Sequence, residues 1–145
     1  MRASRLLLVV ASVALAAMAL APVASATPRS GDVHIVKDCT DYNFEAGSSC
    51  VITSSNVPAI PAGAHIVYAT ALQGMILDTD ISIAAGPGNV AIGHCSLDFQ
   101  DLPGTCRLSG GTGKFTHFQL DVAVSPDARP FFWDWDGTFT FSPRS

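Results

Sequence analysis

The chain has 145 residues, only 14% of them charged, and its twelve acidic side chains outnumber its eight Lys and Arg for a formal charge of −4. That balance argues against nucleic acid and anionic lipid as partners, because both need clustered Lys and Arg to displace counterions. The length leaves room for one domain with a single core and none for a second.

Residues 1–26, MRASRLLLVVASVALAAMALAPVASA, place Arg2 and Arg5 before an uncharged apolar run from Leu6 to Leu20 and end on Ala24-Ser25-Ala26. This is the pattern of a secretory signal peptide cleaved after Ala26, and the run is shorter than the ~20 residues a membrane span needs. The expected domain is 27–145, secreted and extracellular, with six basic residues against twelve acidic ones once Arg2 and Arg5 are gone. The leader also inflates the mean hydropathy of +0.34. No later segment is apolar for long enough to cross a bilayer, so no membrane contact is expected after cleavage, and no N-x-[ST] glycosylation acceptor occurs.

All four cysteines, Cys39, Cys50, Cys95 and Cys106, lie in the exported part, where an even count favours disulfides. Pairing 39 with 50 and 95 with 106 closes two short loops of equal spacing, each restricting the unfolded chain by about 3 kcal/mol. A metal site would draw on His94-Cys95 and other histidines, but the C-x-x-C spacing is missing and no metal or cofactor is expected.

From Val33 onward apolar residues recur mostly at every second position, with Gly or Pro every ten or so residues, which predicts an all-β fold. Ile66, Tyr68, Thr70 and Leu72 alternate against His65, Val67, Ala69 and Ala71, and Gln73-Gly74 turns the chain. Met75, Leu77, Thr79, Ile81 and Ile83 follow against Ile76, Asp78, Asp80 and Ser82, and AAGPGN ends that strand. Val90 to Phe99 changes parity near Gly93, the mark of a bulge, and QDLPG at 100–104 is a turn between Cys95 and Cys106. Phe118, Leu120, Val122 and Val124 then share a face.

The last stretch, FFWDWDGTFTF, could turn at Asp136-Gly137 or run straight through. Running through sorts better: Phe131, Trp133, Trp135, Phe139 and Phe141 then share a face with Gly137, opposite Phe132, Asp134, Asp136, Thr138 and Thr140. About eight strands result, and a short chain of this kind avoids exposed edges by closing into a barrel. The prediction is one eight-stranded antiparallel β-barrel, its interior either filled or holding one small ligand.

GGTGKF at 110–115 invites comparison with a phosphate loop. Counting back from Gly113-Lys114, the first glycine should stand at 108, which is Leu, and the magnesium hydroxyl at 115, which is Phe. The run therefore turns a corner between strands 106–109 and 115–124. LSGGTGKF resembles the signature turn of the allene oxide cyclase and dirigent barrel superfamily, and WDWDGTFTF resembles the closing strand of its small exported bacterial members. The likeness covers roughly 105–141. It implies an eight-stranded antiparallel barrel, leaves a homo-oligomer open, and points to cyclase, isomerase or dirigent chemistry as the enzyme class. The cyclases' Glu-x-Asn element has no match, Asn43-Phe44-Glu45 being reversed, and the dirigent acidic motifs are missing, so no catalytic residue is carried over.

Read from the residues, Asp134 with Asp136 and Asp78 with Asp80 are carboxylate pairs on faces expected to be solvated. His34, His65, His94 and His117 are scattered over four strands without a nucleophile motif, and only His94, at the parity break, merits a test. The aromatic stripe fills the core or, with Tyr68 and Thr70 as polar anchors, lines a pocket. The candidate ligand-lining residues are therefore Tyr68, Thr70, Phe131, Trp133, Trp135 and Phe139. The expected function is a disulfide-stapled extracellular barrel that binds a small hydrophobic molecule or serves as an interaction module, the alternative being a cyclase or a protein that steers coupling. A cavity of about 300 Å³ or more with an ionisable group favours chemistry; one lined only by carbon favours a carrier; a solid barrel removes both.

Overall fold

The computed structural model describes Leu20 and residues 29–142, so the cleavage site and all of the leader but Leu20 lie outside the described residues. Eight strands follow one another around a closed antiparallel barrel: β1 (Ser30–Asp38), β2 (Ser49–Ser55), β3 (His65–Tyr68), β4 (Ile76–Ala84), β5 (Val90–Asp98), β6 (Gly104–Gly111), β7 (Phe118–Pro126) and β8 (Phe132–Phe141). Closure comes from β1 pairing with β8 in unbroken register from Ser30 opposite Thr140 to Asp38 opposite Phe132. Every strand thereby gains two neighbours and no edge is left unpaired. Among the described residues no helix is long and apolar enough to cross a membrane.

Alternation decides what points inward. Leu77, Thr79, Ile81 and Ile83 of β4 are buried, as are Phe118, Leu120, Val122 and Val124 of β7, while their neighbours along the strand face out. The parity change near Gly93 is a register shift between Ala91 and Gly93 against β6. A side chain at Gly93 would sit 2.0 Å from the Arg107 carbonyl oxygen, so only glycine lets the strands approach there. β8 runs straight through Gly137, which pairs with Val33 on one side and Val122 on the other, and no hairpin forms at Asp136-Gly137.

Several boundaries differ from the alternation pattern. β3 stops at Tyr68, because the Thr70 amide donates to the buried Thr79 hydroxyl (2.9 Å) instead of to a β4 carbonyl, and the chain leaves the sheet. β7 starts at Phe118, because Gly113–Phe115 forms a 3₁₀ turn that drives Phe115 into the core. Phe131 precedes β8 rather than opening it.

Both disulfides join the expected partners. Cys95 and Cys106 are directly opposed on β5 and β6 and face the interior; Cys39, just past β1, reaches Cys50 of β2 across 4.4 Å between Cα atoms. The up-and-down order puts the β2–β3, β4–β5 and β6–β7 connections at one end. There Val57 and Ile60 from the β2–β3 loop and Phe115 from the 3₁₀ turn fold inward, and Phe115, Phe118, Phe139 and Phe141 stack in mutual contact. The GGTGKF turn is tied down by Asn89, whose Oδ1 accepts from the Lys114 amide (2.9 Å), and by Thr112, whose hydroxyl donates to the Gly88 carbonyl (3.0 Å). This turn packs Phe115 into that end of the barrel.

Candidate functional site

The other end is open. The inward positions of β1 are Val33, Ile35 and, continuing the same parity, Lys37. Lys37 is 4% exposed, an unusual position for a lysine, and it is in register with Ile52 of β2 and Trp133 of β8. Its Nζ meets the Tyr68 hydroxyl, brought across the interior by β3, at 2.5 Å. The Tyr68 and Trp135 rings each lie 5.2 Å from the same nitrogen, close enough for their electron-rich faces to attract a cation. Burial without an opposing carboxylate lowers the Lys37 pKa to about 7. Burial acts in the opposite sense on Tyr68, with Tyr42 adding to it, and raises its hydroxyl far above the usual phenol range, so Tyr68 keeps its proton.

Above this pair opens a cavity of about 390 Å³, within the range of small-molecule sites. Its lower wall is Leu77, Leu97 and the Cys39–Cys50 disulfide; its upper wall comes mostly from the loops, with Tyr42 and Phe44 between β1 and β2, Leu72 and Met75 between β3 and β4, Phe99 after β5, Phe131 just before β8 and Trp133 near its start. Edge-to-face ring contacts brace both sides, Tyr42 against Phe44 and Tyr68, and Phe99 against Trp133. Phe44 and Phe131 both have φ of 66°, and they are the only non-glycine residues with positive φ among the described residues. A left-handed phenylalanine costs about 1–2 kcal/mol and persists where its surroundings impose it. Hydrogen bonds to their own carbonyls do so here, the Leu72 amide donating to Phe44 and the Cys39 amide to Phe131. Both rings stand at the rim, about half exposed or more.

Of the residues singled out in the sequence, Tyr68, Phe131 and Trp133 line this cavity. Trp135 lies beneath it against Lys37, Phe139 belongs to the aromatic stack at the opposite end, and Thr70 is exposed outside the barrel wall with its hydroxyl donating to the Asp78 carbonyl. Sequence reasoning passed over Lys37, although its parity with Val33, Ile35 and Cys39 marked it as inward-facing.

The outer wall gathers the remaining polar groups. His94 lies between Asp80 (2.9 Å from Nδ1) and Asp78 (2.5 Å from Nε2), His34 contacts Asp136 at 2.6 Å, and Arg107 pairs with Asp121. Hydrogen bonds to these carboxylates raise the pKa of both histidines. Asp134 is held above the ordinary carboxylate range by partial burial and by Asp127 and Asp136. The His94, His34 and Arg107 pairs are solvent-facing and join neighbouring strands, whereas Asp134 is half-buried, its Oδ1 without a hydrogen-bond partner. Among the described residues no group of three or more His, Cys, Asp or Glu is placed to hold a metal. No family model, no curated protein and no solved structure matches the chain.

Proposed function

We propose that the protein is an exported, disulfide-stapled barrel that takes a small hydrophobic molecule into the open mouth, with its far end against Lys37 and Tyr68. The supporting observation is the cavity itself: about 390 Å³, walled by aromatic and aliphatic side chains, and ending on one amine and one phenol. Apolar walls supply affinity by removing the ligand from water, and two polar groups at the floor fix which end enters first. The two disulfides suit an oxidising compartment, and Cys39–Cys50 lines the cavity and closes the loop that carries Tyr42 and Phe44.

A second reading is favoured by Lys37. An ionisable group in a cavity of this size is what a cyclase, an isomerase or a coupling-directing barrel would need, and the resemblance of LSGGTGKF to the allene oxide cyclase and dirigent superfamily agrees with it.

Both readings require occupancy, which the protein can report by itself. Its only two tryptophans are Trp133, in the cavity wall, and Trp135, below it. Titration with 1-decanol is expected to shift tryptophan fluorescence saturably at one molecule per barrel, and Leu97→Trp, which fills the lower wall, to prevent it. A linear, non-saturating response in the native protein would remove both readings.

A further inference from the structure

Lys37 has surroundings that a structural lysine does not need. Beside it β2 presents Cys50 and Ile52, β8 presents Trp133 and Trp135, and β3 brings Tyr68; Tyr42 lies further along the cavity. The nearest charged residues along the ladder face elsewhere: Asp38 accepts from Thr40, and Asp134 is in register with Val36, on the face of His34 and Asp136. Among the described residues no carboxylate lines the cavity, so burial disfavours the ammonium, and the amine stands at the floor of an apolar chamber with its Nζ 2.5 Å from the Tyr68 hydroxyl.

We infer that Lys37 captures an apolar aldehyde, its Nζ forming an imine with the carbonyl carbon while Tyr68 relays the proton. This rests on the ligand-binding reading above and names the ligand's class. The Nζ lone pair attacks the carbonyl carbon, and one Nζ proton passes through the Tyr68 hydroxyl to the carbonyl oxygen, giving a carbinolamine. The second Nζ proton leaves with that hydroxyl as water, and the nitrogen lone pair closes the C=N bond. One aldehyde and one amine give one imine and one water, with no oxidant or reductant consumed. Apolar walls favour the product side, since the water released has little reason to stay. A ketone is more crowded at the attacked carbon. A carboxylic acid of the same length would bring an anion with about four lone-pair sites to a floor that offers it Lys37 and Tyr68. An aldehyde arrives uncharged with one oxygen, which departs.

The sequence makes the test clean, because Lys37 and Lys114 are the only lysines and Lys114 is exposed. The mature protein is incubated with decanal and sodium cyanoborohydride, and decyl groups are mapped by peptide mass spectrometry. At pH 7 about half of an amine with pKa near 7 is neutral, against about one part in a thousand for a solvated lysine. Lys37 is therefore expected to be labelled at least tenfold faster than Lys114, with the rate falling about tenfold or more from pH 7 to pH 5 as the lone pair is protonated. Tyr68→Phe is expected to slow Lys37 labelling severalfold while leaving Lys114 unchanged. Lys37→Met is expected to abolish the cavity label; should that variant fail to fold, the comparison of two lysines within the native chain still decides. Saturable decanol binding with labelling confined to Lys114 or the N-terminal amine overturns the imine and leaves ligand binding standing. The same outcome with saturable decanoate binding in place of labelling assigns the floor to acids and also overturns it. Failure of decanol to bind overturns both.

Discussion

At the end of the barrel that carries the β2–β3 and β6–β7 connections, Val57, Ile60 and Phe115 fold inward and are at most 1% exposed. At the other end Phe44, Met75 and Phe131 stand 48–64% exposed around a mouth. The same eight strands serve both ends, so the difference lies in the loops and in one inward lysine. Apolar surface that returns to the core contributes to stability, about 1.5–3 kcal/mol for each large side chain. Surface left at the mouth, on backbone held at positive φ, contributes nothing until something covers it. The closed end returns its apolar side chains to the core, and the open end leaves Phe44, Met75 and Phe131 uncovered.

The sharpest way to break this contrast is to truncate each end. Phe118→Ala at the closed end is expected to cost about 3–5 kcal/mol in urea unfolding. Lys37→Met should act in the opposite direction. Lys37 has its pKa lowered to about 7 when folded, so below pH 7 both folded and unfolded chains carry the proton and the full cost of the buried charge is present. Between pH 7 and the unfolded value near 10.5 the unfolded chain binds more protons, stability of the native protein rises with pH, and the advantage of the variant fades to nothing. The gain is expected to reach up to about 4 kcal/mol at pH 6, and a gain that does not change with pH would mean Lys37 is not buried as an amine. Removing Cys39–Cys50 by paired alanines should cost about 3 kcal/mol and weaken decanol binding, whereas removing Cys95–Cys106 should cost a similar amount and leave the binding constant alone.

Smaller effects sharpen the picture. Phe131→Gly relieves the left-handed strain and is expected to raise stability by about 1 kcal/mol or leave it unchanged while lowering ligand affinity. A clear loss of stability would show that the rim ring is part of the core. His94→Gln on the outer wall should cost about 0.2–1 kcal/mol. The bonds to Asp80 and Asp78 raise its folded pKa, so this contribution is fully present below the unfolded value near 6.5 and is lost as pH rises through the folded one.

Much of the wall could be read from the chain because a strand has period two and each face of this barrel sees a different medium. The inward rows of β4 and β7, the bulge at Gly93, the uninterrupted β8 and both cysteine pairs follow from that rule and from short loop closure. Loops have no period, so nothing announced that Val57 and Ile60 would plug one end or that Phe44 and Phe131 would rim the other. Thr70 kept the alternation of β3 in sequence but left the strand, because a side chain, the Thr79 hydroxyl, took its amide. Lys37 was hidden differently. Its parity was plain, but a lysine between Val36 and Asp38 reads as solvent-facing unless the pattern is followed against the charge.

The pairing of β1 with β8 has a practical corollary. Ser30 lies opposite Thr140, so the first and last strands begin and end beside the plugged end, remote from the mouth. A tether at the C-terminus would hold the molecule with its opening turned toward the bulk phase. Ligating the two termini and cutting the β4–β5 turn would give a rearranged chain whose opening is untouched.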